Sequence, residues 1–278
     1  MSYRIAYIMS LPHSGSTLCG TLLGAHSASF CLGEPWKLRS YARLQREISH
    51  KTALGNACTC GAPDISQCTF WPKVDARVRE ASGISLRDLD TGSNDPATFA
   101  RDNKLVFDAV AAETGATLLV DSSKSVARLR ALLDADFAAV TAVHLVRNPR
   151  GQIFSHMKRS GRGPYRHAVR NALDTLAMTR QARKAEAIFT AYEQVASAPE
   201  EWLRSIMPKL GLDFEVRQLD WAHSDRHNIS GNRSRATSDS TIKVDYSWEI
   251  SLTPLQKTYI NFVAGPFARL ASARPQVL

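Results

Sequence analysis

The apolar run Arg4 to Met9 (RIAYIM) constrains this chain most, because it is followed at once by a break and then by a helical pattern. It reads as a short buried strand, broken at Ser10-Leu11-Pro12. Ser16 to Leu23 (STLCGTLL) then reads as a helix. The same alternation recurs downstream. A second strand ends near Leu32, and Thr117 to Val120 (TLLV) reads as a buried strand ended by Asp121-Ser122-Ser123. Ser125 to Asp134 reads as a basic amphipathic helix, and Ala138 to Val146 is the strongest strand pattern. Asn148-Pro149 stops that strand and opens a helix, with Asn as N-cap and Pro at the first helical position. Ala187 to Tyr192 is either a further strand or the end of the long helix before it. Strands alternating with helices predict an α/β fold with a mainly parallel sheet.

Two stretches fall outside the alternation. Residues from about Gly33 to Ala116 read as a helical insertion, most irregular from Gly55 to Phe70. Ser224 to Ser240 is polar and without period, and a loop of that length in a compact domain is a lid, a binding loop or disorder. The expected organisation is one domain over 1–278, with the insertion at about 35–116 and the late loop at about 224–241.

Charge narrows the function. The 278 residues carry 35 Lys+Arg against 26 Asp+Glu, a net charge of +9. Between Phe137 and Ala185 there are ten basic residues and one acid, Asp174, so this segment holds the whole excess. A protein that coats nucleic acid would be basic throughout, and one localised anionic partner fits better. No apolar run reaches the roughly 18 residues a membrane span needs. The opening residues run straight into a strand, so no signal peptide is expected.

Pro12-His13-Ser14-Gly15-Ser16-Thr17 lies between strand and helix. Backbone N–H groups in such a turn, the positive end of the helix and the hydroxyls of Ser14, Ser16 and Thr17 together make a phosphate cradle. It is not a Walker A loop, lacking the leading Gly and the Gly-Lys pair, and not a dinucleotide fingerprint. The plain alternative is a strand-helix turn with Ser as N-cap. Farther on, Arg147 stands where a strand ends and Ser155 about two turns into the next helix. The two side chains can converge on one oxyanion, with Arg as bidentate donor. The alternative there is a capped helix with solvated arginines.

The stretch SLPHSGSTLCGTLLGAHSASFCLGE resembles the opening of sulfotransferases that use 3′-phosphoadenosine 5′-phosphosulfate (PAPS), most of all the tyrosylprotein and bacterial branches. The resemblance implies a P-loop-like three-layer α/β fold with helices on both sides of the central sheet. It implies that His13, Ser14, Gly15, Ser16 and Thr17 grip the 5′-phosphosulfate, and that Arg147 and Ser155 hold the 3′-phosphate. Tyr192, in Thr190-Ala191-Tyr192-Glu193, would approach the adenine. Asn232 and Arg233 would lie in a late loop closing over the nucleotide. His13 departs from the family's Arg or Lys, and a histidine between oxyanions would be held protonated.

Sulfuryl transfer needs a base for the acceptor and cations for the leaving phosphate, and no metal is required in principle. Glu34, in Leu32-Gly33-Glu34-Pro35-Trp36, matches the family's base, and its apolar neighbours would raise its pKa. A first-turn Glu favoured by a helix dipole is the alternative. Lys124, after Asp121-Ser122-Ser123, is expected to contact the transferring group, or Asp121 to orient a partner. A helix cap is the alternative. The catalytic set is thus Glu34, His13 and Lys124, with PAPS as donor, adenosine 3′,5′-bisphosphate (PAP) as product and an acceptor hydroxyl or amine left open.

Five cysteines, an odd number, argue for a reducing, cytoplasmic setting. Cys58-Thr59-Cys60 and Cys68 form a loop cluster. Three thiolates with His50 are a zinc option of non-standard spacing, a disulfide to Cys68 is another, and free thiols a third. No metal is expected. Two other functions compete with sulfuryl transfer. One is a nucleotide-dependent kinase with a degenerate P-loop-like turn, which lacks the Lys and magnesium ligands. The other is a nucleic-acid-binding protein, motivated by pI alone and without a nucleic-acid motif.

Overall fold

Strand β1 (Arg4–Ser10) alternates its side chains between two cores. Ile5, Tyr7 and Met9 point to one core and Ala6 and Ile8 to the other, all fully buried. Burying a side chain such as Ile on one face contributes about 1.5–3 kcal/mol, so β1 fastens two layers to the sheet at once. The computed structural model describes residues 2–43, 58–230 and 239–272.

In chain order the described elements after β1 are α1 (Ser16–Gly24), β2 (Ser29–Gly33), α2 (Leu38–Arg43), α3 (Trp71–Ser82) and α4 (Pro96–Thr114). Then come β3 (Leu118–Lys124), α5 (Val126–Ala135), β4 (Ala139–Val146), α6 (Pro149–Ser160) and α7 (Pro164–Lys184). β5 (Ile188–Ala191), α8 (Tyr192–Ser197), α9 (Pro199–Ile206), α10 (Ser247–Ser251), α11 (Pro254–Val263) and α12 (Gly265–Ser272) complete the described strands and α-helices. The five strands form one all-parallel sheet in the order β2-β3-β1-β4-β5. One face packs on α3, α4 and α5 through Phe107, Val110, Val74 and Leu129, and the other on α1 and α9 through Leu22, Leu23 and Leu203. The expected three-layer α/β fold is the one observed. A third apolar cluster joins α6 and α7 to the carboxyl-terminal helices through Ile153, Ala168, Trp248 and Ile260. Among the described residues no helix is long and apolar enough to cross a membrane.

Local signals behave as their chemistry dictates. Asn148 caps α6 by accepting from the Arg150 N–H at 3.0 Å, with Pro149 next. Asp95 caps α4 and Ser125 caps α5. Residues 188–191 are a strand, not a helix end. β3 differs from expectation. It runs through Asp121-Ser122-Ser123 to Lys124 instead of ending at Val120. Asp121 and Ser122 stay buried because their side chains find partners inside the protein. Asp121 pairs with Arg128 at 2.8 Å, and the Ser122 hydroxyl donates to the Gly33 carbonyl at 2.8 Å.

Candidate active site

Each of the five parallel strands delivers one expected site residue at its carboxyl end, where ligands of open α/β sheets gather. His13 follows β1, Glu34 follows β2, Lys124 ends β3, Arg147 follows β4 and Tyr192 follows β5.

The loop after β1 is shaped by left-handed backbone at His13 (φ 68°) and Gly15 (φ 91°). The Ser14 N–H closes it by donating to the Leu11 carbonyl at 3.3 Å. Gly15 is the N-cap of α1, and no side chain caps that helix. A helix start leaves its first N–H groups without intrahelical acceptors. A Cβ on Gly15 would stand 2.3 Å from Cδ2 of Tyr192, so glycine is required by contact as well as by φ. Ser14 and Ser16 are buried beside it.

Two side chains pin the loop from outside. The Arg147 guanidinium donates to the His13 carbonyl at 3.0 Å, and Gln152 Nε2 donates to the Pro12 carbonyl at 2.7 Å. Gln152 is itself fixed by Asn171, which donates to its Oε1 at 2.9 Å. Arg147 lies with its guanidinium carbon 4.5 Å from the Tyr192 ring centre and reaches Asp245 at 3.4 Å. Gly15, Tyr192 and Arg147 therefore form one packed stack. Ser155 is half-buried three residues beyond Gln152 on α6, on the same side of that helix.

Glu34 sits at the other end of the site and is buried. Lys124 and Lys37 both pair with it, and the Ser230 hydroxyl donates to its Oε2 at 3.2 Å. Lys37 also donates to the Ser230 hydroxyl at 2.9 Å. The backbone is held as tightly. The Glu34 N–H donates to the Ile229 carbonyl at 3.0 Å, and the Ile229 N–H to the Leu32 carbonyl at 3.2 Å. A Cβ on Gly33 would lie 2.2 Å from that Ile229 oxygen.

The model of the sulfotransferase family matches residues 6–216, which span all of these residues but Ile229, Ser230 and Asp245. The chain belongs to that family. No curated protein matches it. Among solved structures, the sulfotransferase domain from the curacin biosynthetic pathway shares the fold, with a TM-score of 0.56 and 19% identity over 96% of this chain and 98% of that one. The sulfotransferase domain from the Synechococcus PCC 7002 olefin synthase gives 0.48 and 18% identity, covering 100% of this chain and 90% of that one. A sulfotransferase from Alicyclobacillus acidocaldarius gives 0.45 and 12% identity, covering 96% of each chain.

Electrostatics in this sulfotransferase differ from sequence expectation at Glu34. Burial would raise the Glu34 pKa, but Lys124 and Lys37 outweigh it and hold the carboxyl below its ordinary value. It was the unseen lysines, not the apolar neighbours, that decided the sign. His13 is pushed down to about 4, first by burial and then by the charges of His156, Arg159, Arg147 and Lys124. Its own surroundings keep it neutral at pH 7, and only a bound anion would favour the protonated form. The His13 ring meets the His156 ring edge-on at 5.6 Å, and His156 meets His167 at 4.3 Å.

Asp121 is fully buried and pairs with Arg128. The Arg128 guanidinium also donates to the Thr91 carbonyl at 2.6 Å and to Asn103 at 2.7 Å. Asn232 and Arg233 lie outside the described residues, as does His50. Sequence reasoning missed Gln152, Lys37, Ser230 and Asp245. Lys37 was within reach, standing three residues from Glu34. Ser230 and Asp245 reach the site from distant parts of the chain with no local signal.

Proposed function

We propose that this sulfotransferase moves the sulfuryl group of PAPS to a hydroxyl or amine of an acceptor, with Glu34 as general base. The observation that carries this reading is the pairing, across one sheet edge, of an uncapped helix start beside Arg147 with a buried carboxylate clamped by Lys124. The first is an anion cradle and the second an acid-base group.

In this reading the Ser14–Thr17 segment holds the 5′-phosphosulfate through backbone N–H groups and hydroxyls. Arg147 and Ser155 hold the 3′-phosphate. Tyr192 keeps Arg147 in place and meets the adenine at the ring edge that Gly15 and Arg147 leave. The acceptor oxygen or nitrogen attacks sulfur, the bond from sulfur to the bridging phosphate oxygen breaks, and Glu34 takes the acceptor proton. PAP leaves with the bridging oxygen. Glu34 is ionised at neutral pH and is a weak base, so it takes the proton late, when bond formation to sulfur has made the acceptor acidic. Lys124 is the fixed cation of the site. It is near enough to lower the His13 pKa, and it supplies a permanent charge beside a histidine that is neutral until an anion binds. His13 then acts as a hydrogen-bond donor to the phosphosulfate. The basic residues that follow β4 and lie on α6 and α7 attract the anionic donor, and Arg147 among them donates to the loop.

Calorimetry with PAP tests the reading. Binding in the micromolar range is expected, and no heat at millimolar PAP would overturn it. Magnesium-dependent ATP binding in its place would favour the phosphotransferase alternative.

A further inference from the structure

The irregular part of the insertion brings three cysteines to one point. Cys58, Cys60 and Cys68 meet His227, which arrives from the far end of the chain, and the four ligand atoms all lie within 4.8 Å of one another. Cys68 Sγ is 3.6 Å from Cys58 Sγ and 3.6 Å from Cys60 Sγ. His227 Nδ1 is 3.6 Å from Cys58 Sγ and 3.1 Å from Cys68 Sγ. With metal bonds of about 2.3 Å to sulfur and about 2.0 Å to nitrogen, a tetrahedral zinc spaces two sulfurs by about 3.8 Å and sulfur from nitrogen by about 3.5 Å. These four separations are close to the edges of that tetrahedron, and the other two pairs lie within 4.8 Å. A disulfide would need about 2.0 Å, and all five cysteines are free.

The surroundings are those of a built site. His227 Nε2 lies 2.8 Å from the Asp225 carboxylate, which fixes the tautomer that leaves the Nδ1 lone pair facing the thiols. The His227 ring stacks on Phe70 at 5.0 Å, and Trp71 Nε1 donates to the His227 carbonyl at 2.9 Å. Thr59, between two of the cysteines, donates to the Arg226 carbonyl at 2.5 Å and accepts from the Asn228 N–H at 2.9 Å. The Phe70 N–H points at Cys68 Sγ at 3.4 Å, as amides do at metal-bound thiolates. Cys58, Cys68 and His227 are buried and Cys60 is exposed, which leaves one open side for entry.

We propose that Cys58, Cys60, Cys68 and His227 bind a structural zinc ion that fastens the Ile229–Ser230 segment against Glu34. Four protein ligands close the coordination shell, so the ion has no open position for chemistry. Its effect passes through the backbone. Ile229 bridges to Cys58 on one side and to Gly33 on the other, and Ser230 then reaches Glu34. The zinc assignment stands without sulfuryl transfer, and the effect on Glu34 rests on that reading.

The test is elemental analysis of the full chain purified without chelator or added metal. About one zinc per chain is expected. Replacing zinc with cobalt is expected to give the visible absorption of tetrahedral cobalt together with thiolate charge-transfer bands. The exposed ligand is removed by Cys60→Ser, which is expected to lower zinc content several-fold. Asp225→Asn leaves every ligand in place and is expected to weaken zinc roughly 10–100-fold in chelator competition. PAP binding, measured on the same samples, reports the nucleotide site separately. Sulfuryl transfer by the Cys60→Ser variant is expected to fall while PAP binding holds. Substoichiometric zinc in the unmodified chain, or an intact mass showing a disulfide in this cluster, would overturn the assignment. Stoichiometric zinc without PAP binding would leave the metal site standing and remove only its link to catalysis.

Discussion

The two ends of the site are built by different means. The cradle around Gly15, Arg147 and Tyr192 uses short segments that follow β1, β4 and β5, and it is held by backbone acceptors and one aromatic ring. The base around Glu34 is held by charge, from Lys37 and Lys124, and by a segment nearly two hundred residues away, at Ser230. A donor shared by a family can be met by a local motif. An acceptor-side base must also be insulated and aimed, and this chain does so with distant parts. The cradle should therefore fail one residue at a time, whereas the base should respond to its surroundings.

Glu34→Gln separates the ends most sharply. The amide keeps the shape but cannot take a proton, so turnover is expected to drop about 10²–10⁴-fold. PAP affinity should stay within about twofold, since Glu34 lies outside the cradle. Equal losses of binding and turnover would show that the two ends are one structural unit. Arg147→Ala is the reverse cut. Charged hydrogen bonds contribute about 1.5–3 kcal/mol, so PAP is expected to bind about 10–100-fold more weakly by calorimetry. Arg147→Lys should recover only part of this, because a lysine lacks the planar fork that stacks on Tyr192 and donates in parallel to one oxyanion. Full recovery would reduce Arg147 to a point charge.

The same contrast explains what could be read from the sequence. Pro12–Thr17 and Arg147 through Ser155 were legible because loop, cap and strand end are neighbours in the chain. The all-parallel sheet was legible because each apolar run is short and bounded by turn residues. Asp121-Ser122-Ser123 looks like a strand stop in sequence, because its residues are turn formers and the partners of Asp121 and Ser122, Arg128 and Gly33, are brought in only by the fold. The metal-like cluster was half legible. Three cysteines marked it, but the fourth corner is His227, and no spacing rule ties residue 68 to residue 227. The sign of the Glu34 shift was not legible, because it depends on Lys124 arriving from β3.

Lys124 tests whether the base is tuned by its surroundings. In Lys124→Met one of the two cations that depress the Glu34 pKa is gone, so that pKa rises. Protonation of Glu34 then begins at higher pH as the solution is acidified. The acid limb of kcat/KM is expected to move to higher pH, with a loss of rate at neutral pH from the missing cation. An acid limb that stays in place would assign it to another group.

The smallest effect concerns His13 and joins the two ends. In the ligand-free protein its pKa is about 4, against an ordinary value of 6.5, because it is buried among cations. His144, buried in β4, is likewise lowered to about 4 by burial. Both histidines take up protons more readily in the unfolded chain. Stability is therefore expected to fall as pH drops from about 6.5 toward 4, in thermal melts without nucleotide. A bound 3′,5′-bisphosphate places negative charge at the cradle and favours imidazolium. The His13 ring signals, followed by NMR across pH, should then report a higher pKa with PAP than without, while those of His144 stay put. The acid loss of stability should shrink by the His13 share alone. If both rings move together, the change is a loosening of the whole sheet. If neither moves, His13 does not touch the donor, and Lys124 and Arg147 are left to bind its charge without it.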